Sequence, residues 1–127
     1  MTVLWNPSYE IGNAEVDASA KALFELTQQL ATTDDWSATR QLIVNLYKEA
    51  RSHFALEEAL MQQRAYPALA EHAAQHQALL GRLEDRSMDV GKGHMNKKVI
   101  VAVMADWAQT HVTQDDAALA KFIQQAA

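Results

Sequence analysis

The chain is 127 residues long, 49% apolar and 21% charged, with a formal net charge of -5 and no cysteine. That length suits one domain with a real core and is too short for two comfortable ones, and the composition excludes a disordered chain. The acidic balance, with no basic run longer than Lys97–Lys98, argues against nucleic acid and against an anionic membrane surface.

Without cysteine there are no disulfides, no thiolate metal ligands and no thiol nucleophile. Residues Met1 to Pro7 carry no basic stretch followed by an apolar one, so no signal peptide is expected. No run approaches the roughly 20 apolar residues that a membrane-spanning helix needs. The expectation is a cytoplasmic protein with neither nucleic acid nor membrane as a partner.

Residues 1–17 contain Pro7 and Gly12 and no helical period, which predicts an extended N-terminal arm. Asp17 is a candidate N-cap for a first helix over about 18–31, with Leu23, Leu26 and Leu30 on one side and Phe24 beside them. Thr32-Thr33-Asp34-Asp35 is turn chemistry that can cap the next helix. The second helix, about 36–65, carries Leu42, Ile43, Leu46, Tyr47, Ala50, Phe54, Leu60 and Met61 at intervals mostly of three and four. Pro67 ends it and can open a third helix over about 67–88, which carries Leu69, His72, His76, Leu79, Leu80 and Leu83. Gly91-Lys92-Gly93 reads as a loop. The fourth helix, about 95–124, carries Val99, Ile100, Val103, Met104, Trp107, His111, Leu119, Phe122 and Ile123. Four apolar stripes joined by short connections predict an all-α fold. It is an antiparallel up-down-up-down four-helix bundle with an extended arm, one domain over 1–127.

The polar residues inside those stripes carry the functional information. Of the five histidines, His53, His72, His76 and His111 fall mid-helix on or beside the apolar faces, and His94 reads as a surface residue. An unsatisfied polar group in a core costs roughly 1–3 kcal/mol, so four buried imidazoles call for a common partner. His53 and Glu57 are four apart and share a helix face; in isolation that pattern is more often a surface pair. His72 and His76 have the spacing that lets two imidazoles share one cation, a weak signal by itself. Glu57 lies ten residues before Pro67 and His76 nine after it, so an antiparallel fold at Pro67 puts them at similar heights. Imidazole with carboxylate suits iron, manganese or zinc. On the fourth helix His111 has two acidic candidates. Regular helical spacing favours Asp115, about 40° around the axis, over Asp116 at about 140°, and leaves the choice open.

These blocks resemble the hemerythrins, in particular the single-domain bacteriohemerythrins, over almost the whole chain from Trp5 to Phe122. The arm Trp5-x-x-x-Tyr9-x-Ile11-Gly12-x-x-x-Val16-Asp17 is similar to the family's N-terminal signature. His53-Phe54-x-x-Glu57-Glu58-x-x-Met61, Tyr66-Pro67 with His72-x-x-x-His76, and Trp107-x-x-x-His111-Val112-x-x-x-Asp116-x-x-Leu119-x-x-Phe122 are similar to its next three blocks. The resemblance implies a diiron centre in which Glu57 and Asp116 bridge, His72, His76 and His111 hold the first iron and His53 the second. It therefore selects Asp116 over Asp115, which requires a π-bulge or local unwinding between His111 and Asp116.

One position departs from the family. Where the first helix of the family reads Asp-x-Gln-His-Lys-x-Leu-Phe, this chain reads Asp17-Ala18-Ser19-Ala20-Lys21-Ala22-Leu23-Phe24. Ala20 stands in place of a ligand to the second iron. Ser19 points elsewhere, and His94, 17 residues before His111, lies about 25 Å of helix away. Trp5 and Trp107 read as core aromatics that could also shield the centre, and Glu58 and Asp115 as solvated or outer carboxylates.

The expected function is non-heme iron binding for dioxygen binding, transport or sensing, with dioxygen or another small diatomic as partner. The site is expected to be an atypical diiron or a singly occupied one. Two rivals stand beside it. One is an enzyme reacting with dioxygen, peroxide or nitric oxide, for which no acid or base beyond the ligands speaks. The other is a decayed site on an interaction module.

Overall fold

The first helix begins at Asn13, whose side chain accepts from the Val16 amide at 3.1 Å; α1 then runs over Ala14–Thr32. The computed structural model describes the backbone of residues 4–91 and 97–125, with side chains as far as residue 86 in the third helix. Asp17 is thus not the cap that its position suggests. It sits in the first turn, and its carboxylate accepts from the amides of Ile11 at 2.8 Å and Gly12 at 3.2 Å, tying the arm down. Gly12 makes this bend with φ +97, a conformation that glycine takes without steric cost. The arm itself is broken by a 3-10 turn at Pro7–Tyr9, capped by Asn6, and Trp5 and Tyr9 both pack on Phe24.

Asp35 accepts from the Ala38 amide at 2.8 Å and opens α2, Trp36–Gln63. That helix stops two residues before the expected boundary. Ala65 turns into the left-handed region at φ +54. The Ala65 amide then reaches Gln62 O and the Tyr66 amide reaches Met61 O at 2.9 Å, the pair of bonds of a Schellman end. The turn between α2 and the next helix carries Pro67 outside either of them, and α3 covers Leu69–Gly91, reaching three residues past the expected Met88. Lys92 and Gly93 of the expected loop, His94, and the expected start of the fourth helix lie outside the described residues.

The last rod comprises α4, Lys97–Trp107, a π-helical stretch Ala108–Asp116, and α5, Ala117–Gln125. Cross-links fix the direction of each neighbour. Going from His76 to Arg82 along α3, the partners on the last rod step back from His111 to Asp106. Going from Phe24 to Thr33 along α1, they step back from Trp107 to Lys97. The rods are antiparallel, each packed on the next around the bundle, and there is no strand among the described residues.

Two apolar clusters fill the interior. The larger holds Leu23, Leu30, Leu46, Phe54, Ile100, Met104, Trp107 and Val112 among others. The smaller holds Ile11, Val16, Leu60, Met61, Leu119 and Ile123. Each such side chain contributes roughly 1.5–3 kcal/mol by leaving water. Glu57 on α2 and Asp116 on the last rod fall in sequence between members of one cluster and the other, so the buried polar residues sit where the two clusters meet.

Candidate metal centre

Five buried donors converge there. Glu57, His72, His76, His111 and Asp116 each offer one ligand atom, and these atoms all lie within 4.8 Å of one another. Helix spacing accounts for most of this. His72 and His76 are one turn apart on α3, with their rings 4.7 Å apart and almost perpendicular, and Glu57 faces them from α2. His111 and Asp116 are five apart, and the π-helical backbone brings them to one side, because a π turn closes at i to i+5. The bend required by the choice of Asp116 is therefore present.

Glu57 Oε1 lies 2.5 Å from His72 Nε2 and 3.2 Å from His76 Nε2, and Asp116 Oδ1 lies 3.0 Å from the Nε2 atoms of both His72 and His111. His76 Nε2 and His111 Nε2 are 3.1 Å apart. A cation with bonds of roughly 2.0–2.2 Å sets adjacent ligand atoms about 3 Å apart. Mixed imidazole and carboxylate donors suit iron, manganese or zinc, so the residues present fit a transition-metal ion.

The outward nitrogens of two of these rings are also held. His76 Nδ1 lies 2.9 Å from Glu58 Oε2, and His111 Nδ1 lies 3.3 Å from Asp115 Oδ2. Asp115 and Asp116 thus touch the same imidazole from opposite ends, Asp115 at the half-exposed rim and Asp116 inside. Phe54 stacks on His76 at 4.0 Å with the rings almost parallel. The pairing of Glu58 with His76 is not evident from the sequence pattern. Its only signal there is that Glu58 comes directly after Glu57 and so faces α3 from one side.

His53 stands apart from the five. Its Nε2 lies 3.2 Å from the second oxygen of Glu57, Oε2, and its Nδ1 is buried with no hydrogen-bond partner. Ala20 is buried on α1. Its neighbour Ser19 donates to Glu49 Oε1 at 3.1 Å and is not free to replace a ligand.

Without a cation, protons balance the two carboxylates. Burial pushes the His72 and His111 imidazoles down, but Asp116 and Glu57 outweigh it, raising His72 to about 9 and His111 to about 10. Burial pushes Glu57 up, yet His111, His53, His72 and His76 hold it well below the usual carboxylate range. Burial and then the charges of Asp115, Asp116 and Glu57 push the Tyr66 phenol up. A cleft of about 290 Å³ between α3 and the last rod is lined by His76, Trp107, His111 and Asp115, with Arg82 and Asp106 among its other residues.

The family model for the hemerythrin HHE cation binding domain matches residues 12–123. The chain belongs to the hemerythrin family. A bacteriohemerythrin of Stenotrophomonas maltophilia is 25% identical over 121 residues, covering 93% of this chain and 79% of that protein. One from Pseudomonas aeruginosa is 23% identical over 118 residues, covering 91% and 77%. A crystal structure of a hemerythrin point mutant superposes with a TM-score of 0.82 at 25% identity, covering 96% of this chain and 98% of that one. Hemerythrins are non-heme iron proteins that bind small ligands such as dioxygen, and the five-donor cluster is where this member can hold a metal. No helix among the described residues is long and apolar enough to cross a membrane.

Proposed function

We propose that this hemerythrin holds one tightly bound non-heme iron between His72, His76, His111, Glu57 and Asp116, and serves in dioxygen binding, carriage or sensing. The observation that carries this is the convergence of five buried donors within 4.8 Å. The bound iron would supply a redox-active Lewis acid able to take a small diatomic ligand. The protein's own part is to position and to shield. Glu58 and Asp115 hold the Nδ1 protons of His76 and His111, which turns each Nε2 lone pair inward. Phe54 stacks on His76 and Trp107 stands edge-on to His53, apolar rings that limit the access of bulk water.

By the family pattern a second iron would take His53 and shares of Glu57 and Asp116. Ala20 removes the other imidazole, leaving three protein donors, two of them already engaged. Fewer strong donors mean weaker binding, which supports an atypical, singly occupied site over a full diiron centre. Among the described residues no further acid or base is aimed at a substrate, which supports a carrier or sensor over a catalyst.

Loading with ferrous iron under argon, followed by iron analysis and visible spectra through cycles of dioxygen and argon, tests this. About one iron per chain with reversible spectral change is expected. Iron-free protein after loading would overturn the metal assignment, and sustained turnover of dioxygen or peroxide would favour an enzyme.

A further inference from the structure

The five donors are between 1% and 6% exposed, so a cation from solvent needs a path through the protein to reach them. On the α1 side Trp5, Tyr9, Phe24 and Trp107 pack ring on ring and offer a hydrated cation no carboxylate. The cleft between α3 and the last rod is different. His76 and His111 belong both to its lining and to the donor group, and their Nε2 atoms are 3.1 Å apart. These two rings are the partition between the cleft and the buried site.

The partition is uneven. His76 is clamped, because Phe54 stacks on its face at 4.0 Å and Glu58 holds its Nδ1 at 2.9 Å. His111 is held more loosely. Its Nδ1 lies 3.3 Å from Asp115 Oδ2, Phe54 meets it edge-on at 6.4 Å, and its side chain is 8% exposed against 1% for His76. It also stands on the π-helical stretch, whose backbone departs from the regular ladder. His111 is therefore the ring that can turn aside, and Asp115 beside it offers oxygen donors that suit divalent cations.

The outer part of the cleft carries one ion pair. Arg82 Nη1 on α3 meets Asp106 Oδ2 on α4 at 2.9 Å, with both side chains 52% exposed. The pair links the two walls, and an exposed pair of this kind is weak and opens readily in water. Its guanidinium sets a positive charge in the path of a cation, and its carboxylate a negative one.

We propose that this cleft is the route by which the metal ion enters and leaves the buried site. Arg82 and Asp106 set the rate at its mouth, and His111 turns aside beside Asp115 to admit the ion. The ion is a divalent first-row cation, hydrated in the outer cleft, that sheds water as imidazole replaces it. This rests on the reading of the five donors as a metal site and holds whether one or two ions bind.

The test uses the intact, metal-free chain with cobalt(II) as the probe, because its visible absorption reports ligation. Uptake is followed by stopped flow, and release by transfer to excess chelator. Arg82→Gln should quicken both by about three- to fivefold, since a charge opposing the cation is gone. Asp106→Asn should slow both. The opposite signs separate the effect of charge from that of loosening the two walls, since each variant breaks the pair. Both differences should shrink in about 0.5 M salt. Ala78→Trp fills the cleft from an exposed position on α3 and should slow uptake and release severalfold, whereas Ala55→Trp on the exposed face of α2 should change neither. Affinity, taken from the ratio of the two rates, should stay within about twofold throughout, because exposed charges are screened from the buried ion.

Unaltered rates in Ala78→Trp and Arg82→Gln, at full occupancy, would place the route elsewhere and overturn the proposal alone. A change in affinity with uptake unchanged would show a distorted site rather than a gated path and would overturn it too. Unmodified protein that binds no cobalt at equilibrium would instead end the metal reading on which the proposal rests. Should Ala78→Trp fold poorly, the opposed signs of Arg82→Gln and Asp106→Asn decide by themselves, and equal signs overturn it.

Discussion

The Nδ1 of His76 donates to Glu58 Oε2 at 2.9 Å, a bond across the α2–α3 pair made by the residue directly after Glu57. It fixes which nitrogen of His76 carries the proton and points the other at the four remaining donors. Partners of this kind usually change metal affinity by about 10–100-fold when removed. Glu58→Ala should therefore weaken iron binding by that factor in a chelator competition. Little loss of folding stability is expected, because the Glu58 side chain is 31% exposed. Unchanged affinity would mean that the Phe54 stack alone holds the ring.

Ala20→His places an imidazole on α1 where the resemblance to the family expects a donor. The variant should raise the iron-to-protein ratio from about one toward two and strengthen the charge-transfer absorption of a bridged diiron centre. Iron analysis and visible spectra of the two proteins, loaded side by side, decide it. Two irons held tightly by the unmodified chain would show that Ala20 is compensated.

Much of this arrangement is legible in the sequence, for reasons that also mark where legibility stops. Leu23 and Leu30, Ile43 and Leu46, Leu79 and Leu83, and Ile100 and Val103 recur at helical spacing within their rods, and few breakers interrupt them, so the four rods and their order come from periodicity. His72 and His76 share a face by spacing alone, and Pro67 sets the height of Glu57 against them. Asn13 and Asp17 both have capping side chains, and what separates them is the bend at Gly12, which no periodicity reports. Spacing cannot prefer Asp116, because spacing presumes a regular helix and the π-helical stretch is a property of the backbone. The end of α2 falls earlier than Pro67 suggests, and alanine gives no sign of the left-handed conformation that ends it.

That alanine supplies its own test. Ala65 holds φ +54 at the end of α2, a region that costs a non-glycine residue roughly 1–2 kcal/mol and glycine almost nothing. After the entropy that glycine loses on folding, Ala65→Gly should stabilise the protein by about 0.5–1 kcal/mol, raising Tm by about 2–5 °C. Iron content should not change. A lower Tm would mean that contacts of the alanine methyl group outweigh the backbone term.

Protonation of the metal-free site sets a pH window. His72 and His111 are raised from 6.5 to about 9 and about 10, so their contribution to stability is complete below about pH 6.5 and is lost as pH rises through 9–10. Glu57 is lowered, so its contribution is present above its ordinary range near 4.5 and is lost in acid. The metal-free protein should therefore unfold in less denaturant at pH 10 than at pH 7. Iron must displace the two imidazole protons, so apparent affinity should rise with pH up to the same range. Titration calorimetry in buffers of different ionisation enthalpy should count about two protons released per iron at pH 7. No release would mean that the imidazoles are already neutral.

The two aspartates of the last rod provide the sharpest contrast. In a regular helix Asp116 would stand about 140° from His111 and Asp115 about 40°, so spacing assigns the inner role to Asp115. The π-helical stretch reverses them. Asp116 Oδ1 comes to 3.0 Å from both His72 and His111, whereas Asp115 Oδ2 meets only the back of His111 at 3.3 Å and its side chain stays 38% exposed. Asp116→Asn should then cost the site a charged donor and leave most of the protein iron-free after desalting. Asp115→Asn loosens one ring and should weaken binding by about tenfold. Asp116→Asn also removes a buried negative charge that holds His72 and His111 protonated, so proton release on iron binding should fall in that variant and not in the other. The reverse ranking, iron lost with Asp115→Asn and kept with Asp116→Asn, would mean that the segment rewinds to a regular helix around the metal.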